Sequence, residues 1–80
     1  MNDLTARDMV VRALLDVAPE TDPAAVEPDE PLPEALDLDS MSMLTYVTAV
    51  AAEAGIDVPD RDVPRFATLG GAIAYLSEHA

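Results

Sequence analysis

The stretch Leu36-Asp37-Leu38-Asp39-Ser40-Met41-Ser42-Met43-Leu44, continued to Gly55, decides how this chain folds. From Met43 onward, Leu44, Val47, Val50, Ala51 and Ala54 recur at intervals of three and four, the spacing of one apolar helix face. Asp39 stands where an N-cap is wanted, and Gly55 where a helix commonly ends in a left-handed residue. The pattern predicts a helix from about Ser40 to Ala54. One such stripe must be buried against other helices, and the flanking sequence supplies them.

Upstream, a helix is expected from about Asp3 to Ala18, capped by Asn2 or Asp3. Leu4, Val11, Leu14, Leu15 and Ala18 share its apolar face, and Pro19 stops it. Residues 19–39 hold five of the seven prolines and eight acids. Val26, Leu32, Leu36 and Leu38 recur through them, as in a long loop pinned onto a core. Asp22-Pro23 is suited to starting a single helical turn. Downstream, Ile56, Val58 and Pro59 make a short extended connection. Asp60 can cap a brief irregular helix over about 61–66, kept short by Pro64. Thr68 caps a last helix with Leu69, Ala72, Ile73 and Leu76 on one face. Gly70 and Gly71 weaken that helix by up to about 1 kcal/mol each relative to Ala. No period-two run persists. The expectation is an all-α fold: a single domain over residues 1–80, built as a four-helix bundle of three long helices and one short, with a long first loop.

Composition narrows the function. Sixteen acids face four arginines, lysine is absent, and the net charge is −12. Such a field repels nucleic acid and anionic membranes and favours protein partners with basic patches, although solubility alone would also account for it. With no cysteine the chain has neither disulfides nor a protein thiol. No leader-like apolar run or segment of transmembrane length is evident, so a cytoplasmic monomer without membrane insertion is expected. A chain of this length buries only about 60–65% of its unfolded surface, which leaves little room for a deep catalytic cleft.

Ser40 is the residue of interest. At the junction of a long loop and a helix N-terminus, its hydroxyl is exposed among unpaired backbone N–H groups, where an attached phosphodiester is electrostatically favoured. From local pattern alone, Asp39 and Ser40 can equally be an ordinary capping pair. A hydrolase built on Ser40 and His79 lacks the Gly-x-Ser-x-Gly elbow. A calcium loop starting at Asp37 fails at its fifth, sixth and twelfth positions, which are Met41, Ser42 and Thr48. An acidic interaction module with an unmodified serine stays open, and no metal ligand set is identified.

The segment around Asp39-Ser40-Met41 resembles the Asp-Ser-Leu signature of acyl carrier proteins. Leu36-x-Leu38-Asp39-Ser40-Met41, Gly55-Ile56-x-Val58-Pro59-Asp60, Ala67-Thr68-Leu69 and Ala72-Ile73-x-Tyr75-Leu76 resemble that family in order and spacing. The resemblance implies a non-catalytic carrier whose Ser40 receives 4'-phosphopantetheine from coenzyme A through a phosphopantetheinyl transferase. Asp39 would engage that transferase and its metal, and acyl-loading and acyl-processing enzymes would be the further partners. An attached chain would fold back into a cavity near Met43, Leu44, Val47, Ile56, Phe66 and Leu69, residues that simple core packing also explains. The sequence departs from the family at Asp37, where glycine is usual and a changed turn is expected. It departs again on the exposed face of the second long helix, where Ser42, Thr45, Thr48, Ala49 and Ala52 leave Glu53 as the only acid. Pro64, inside the short helix, is a third departure. These departures point to a specialised carrier with its own enzymes. An aminoacyl carrier of a peptide synthetase is a further alternative, although its usual Gly-Gly-x-Ser signature fits less well.

Overall fold

In a computed structural model describing all 80 residues, four α-helices enclose the core: α1 (Asp3–Val17), α2 (Leu32–Ala35), α3 (Ser40–Ala54) and α4 (Leu69–His79). Two 3-10 segments complete it, a turn at Pro23–Ala25 and a longer stretch at Asp60–Ala67, and there is no strand. α1 packs against both α3 and α4, and the Asp60–Ala67 segment rests on α4. The short helix expected over 61–66 is this 3-10 segment. Asp60 lies inside it instead of capping it, and Pro59 takes the cap position without a side-chain bond. Pro64, which has no N–H to give, sits within the tighter winding.

α1 begins as expected, with the Asn2 side chain accepting from the Thr5 amide at 2.8 Å. Its buried face needs correction. Ala6, Met9, Val10, Ala13 and Leu14 point inward, whereas Leu4 is 81% exposed and Leu15 is also on the surface. Leu14 and Ala18 are buried as expected, while Ala6 and Ala13, with Met9 and Val10, take the inward places expected of Leu4 and Leu15.

The three aromatics meet at the centre. Phe66 is fully buried, its ring 6.0 Å from Tyr46 edge-on and 5.1 Å from Tyr75. Tyr46 donates its hydroxyl to the Phe66 carbonyl at 3.2 Å, and burial raises its pKa well above the usual phenol value. A buried phenylalanine is worth about 3–5 kcal/mol relative to alanine. For a chain of this length with total stability on the order of 4–12 kcal/mol, that one ring carries a large share of it.

The long acidic loop is held at several points, as its apolar residues predicted. Leu32, Leu36 and Leu38 are buried, Val26 packs against the same core, and the Pro28 carbonyl accepts from the Gly70 amide at 2.9 Å. α2 forms one helical turn within it. Asp37 adopts φ 53°, the left-handed conformation that glycine takes most readily. Asp37, the only non-glycine residue with positive φ, therefore holds this turn.

Candidate functional site

α3 starts at the end of that loop. The Asp39 side chain accepts from the Ser42 amide at 2.7 Å, and α3 ends at Gly55 with φ 70°. This bond to the Ser42 backbone, followed by one to the Ser42 side chain, lowers the Asp39 carboxyl below its ordinary pKa. Because Asp39 makes the cap, the hydroxyl of the next residue is not consumed by it. Ser40 is exposed in the first turn of α3, near the positive end of the helix dipole.

Beside Ser40 lies an open groove of about 430 Å³, lined by Ser40, Met43, Leu44, Asp60, Val63 and Pro64. One wall is the first turns of α3, and the other is the 3-10 segment. Met41 is 76% and Leu44 55% exposed, so apolar side chains flank the hydroxyl. Leu44 is thus on the surface and not in the buried stripe where periodicity placed it. Tyr46 takes the inward position on that turn.

Of the residues named from sequence as cavity candidates, the structure brings Met43 and Leu44 to the groove with Ser40. Val47, Phe66 and Leu69 are buried in the core, and Ile56 is half-buried against it. Asp60, Val63 and Pro64 were not anticipated in the groove. The signal was the spacing of Asp60 and Val63, which are aligned by three residues per turn in a 3-10 helix. His79 lies far along the chain from Ser40, stacked 4.0 Å from the Tyr75 ring with Nδ1 2.9 Å from the Tyr75 carbonyl oxygen. No three His, Cys, Asp or Glu side chains are grouped to hold a metal ion. No helix is long and apolar enough to cross a membrane.

The site has the features a covalently held phosphodiester requires: an exposed hydroxyl, a helix N-terminus behind it and an apolar groove beside it. The comparisons agree. A family described as "Phosphopantetheine attachment site" matches residues 9–76. An acyl carrier protein of Renibacterium salmoninarum is 38% identical over 55 residues, covering 69% of this chain and 68% of that relative. One from an Arthrobacter species is 38% identical over 53 residues, covering 66% of this chain and 65% of the relative, so the match spans about two thirds of both. One from Myxococcus xanthus is 26% identical over 76 residues, 91% of this chain and 96% of the relative. The fold and site define a carrier protein whose cofactor is phosphopantetheine. The chain belongs to the acyl carrier protein family.

Proposed function

We propose that Ser40 is the attachment site, and that the arm it bears holds acyl groups as thioesters for presentation to partner enzymes. What supports this most directly is the free hydroxyl: Asp39 caps α3, and Ser40 is left exposed in its first turn. In the loading step Ser40 Oγ bonds to the pantetheine-side phosphorus of coenzyme A. The pyrophosphate bridge breaks, adenosine bisphosphate leaves, and the hydroxyl proton passes to a base on the transferase. Asp39, held ionised by its bonds to Ser42, serves as an acidic contact for that transferase and its metal. The arm supplies the thiol that this cysteine-free chain lacks.

The chain catalyses nothing by itself in this reading. It works as a cytoplasmic monomer, one carrier domain over residues 1–80, with acyl-loading and acyl-processing enzymes as its further partners. Met43 and Leu44, in the groove, are the first contacts for an attached acyl chain. Val47, Ile56, Phe66 and Leu69 lie deeper and receive it only if the core parts. The exposed face of α3 carries Thr45, Thr48 and Ala52, and its acid, Glu53, is paired with Arg12 at 2.6 Å. This nearly uncharged face supports a dedicated enzyme set, because general docking patches that read acids find none free here. Equal elongation of the charged protein and the common carrier by housekeeping fatty-acid synthase enzymes would refute that specialisation.

Attachment is tested by intact mass after incubation with coenzyme A, Mg²⁺ and a broad-specificity transferase. Wild type gains one phosphopantetheine and Ser40→Ala gains none. An unchanged wild-type mass would make the protein an unmodified interaction module.

A further inference from the structure

The segment Asp60–Ala67 is wound with three residues per turn, so residues three apart form rows along it. One row is Asp60, Val63 and Phe66; its first two members line the groove and the third is buried in the core. The next row is Asp62 and Arg65, and both bond to α4. The Tyr75 hydroxyl donates to Asp62 Oδ2 at 2.8 Å. Arg65 donates through both terminal nitrogens to the Glu78 carboxylate, at 3.2 and 3.1 Å. Its guanidinium carbon also stands 5.2 Å from the centre of the Tyr75 ring. The backbone holds the segment less firmly, since no side chain caps it and Pro64 has no N–H.

Side chains therefore add to the 3-10 backbone bonds in fixing this segment on α4. The row clamped to α4 lies next to the row that forms the groove wall, in a segment too short to bend independently of itself. Any slackening of the clamp moves Val63 and Pro64 relative to Met43 and Leu44 on α3.

We propose that Asp62, Arg65, Tyr75 and Glu78 are positioning residues that clamp the Val63–Pro64 wall and so set how well the groove shelters an acyl chain on the arm. This rests on the reading of Ser40 as the attachment site. The clamp acts on chain-length selectivity: a short acyl group does not reach along the groove, while a medium chain depends on its width.

The test compares hydroxylamine cleavage of acetyl and octanoyl thioesters on the loaded protein, in wild type, Asp62→Ala, Tyr75→Phe and Arg65→Gln. In wild type the octanoyl thioester is protected relative to the acetyl one. Loss of the part-buried Asp62–Tyr75 bond shifts an equilibrium by about three- to tenfold, and loss of the exposed Arg65–Glu78 pair by up to about fivefold, so the protection ratio falls by those factors while acetyl cleavage is unchanged. Arg65→Glu combined with Glu78→Arg restores the ratio. An unchanged ratio in variants with native circular dichroism overturns the clamp, as does an equal change for both thioesters, which marks general loosening only. Tyr75 is buried and its variant is the one at risk of unfolding; Arg65→Gln is on the surface and carries the test in that event. Amide hydrogen exchange on the unloaded protein decides independently of the arm. Faster exchange in Arg65→Gln confined to residues 60–67 supports the clamp, and no difference overturns it. Failure to load would refute the attachment reading alone and leave exchange to judge the clamp.

Discussion

At the start of α3 the Asp39 carboxylate accepts from the Ser42 amide at 2.7 Å; at the start of α4 the Thr68 hydroxyl accepts from the Gly71 amide at 3.0 Å. The two caps use the same geometry, yet their surroundings are opposite. Behind Asp39 comes Ser40, exposed at the rim of a groove. Behind Thr68 comes Leu69, fully buried, followed by two glycines pressed against the Pro28 and Arg65 carbonyls. A Cβ on Gly71 would run into the Arg65 carbonyl oxygen. Capping alone therefore does not make a functional helix start. What differs is whether the chain around the cap leaves space or fills it.

Breaking the open end should remove function and spare the fold. Ser40→Ala eliminates the mass gain on loading, with stability within about 0.5 kcal/mol of wild type in urea unfolding, as for most exposed substitutions. Breaking the sealed end should do the reverse. Gly71→Ala overpacks α4 against Arg65 and costs about 1–3 kcal/mol; Tm falls roughly 4–8 °C per kcal/mol in a chain this small, while the mutant still loads. Asp39→Ala touches both properties, lowering Tm by a few degrees through the lost cap and slowing the transferase reaction. The Asp39 pKa is depressed in the folded state, so its contribution is complete above the ordinary carboxylate range and fades as pH falls through the folded value. The Tm gap between wild type and Asp39→Ala should therefore narrow on acidification, as a thermal melt series from about pH 7 to about pH 3 would record. The smallest effect is expected at Asp37→Gly. Relief of the left-handed aspartate is worth about 1–2 kcal/mol, partly offset by the chain entropy of glycine. A net stabilisation of up to about 1 kcal/mol should appear in the urea midpoint.

The same contrast explains what the sequence disclosed. The ends of α3 were legible because capping and termination are local: Asp39, Ser40 and Gly55 act through bonds to residues within one turn. Thr68 at α4 was legible for the same reason. The sealing of α4 was not, because Pro28 reaches Gly70 from far along the chain, and the two glycines read only as weak helix formers. The inward face of α1 was misassigned because periodicity weighted by side-chain size favours Leu4 and Leu15, whereas close helix packing used Ala6 and Ala13. The groove was half legible. Met43 and Leu44 lie on α3 with Ser40, but the facing wall depends on a 3-10 winding around Pro64 that no helical period of 3.6 describes.

The aromatic cluster has a practical consequence. The chain has no tryptophan, and its only phenols, Tyr46 and Tyr75, are sealed within the interior. Near-ultraviolet absorbance therefore reports on the packed centre, and the surface around Ser40 contributes no chromophore of its own. An optical label placed at the tip of the arm can be followed there against a silent background, while the tyrosines independently register whether the molecule beneath it is still folded.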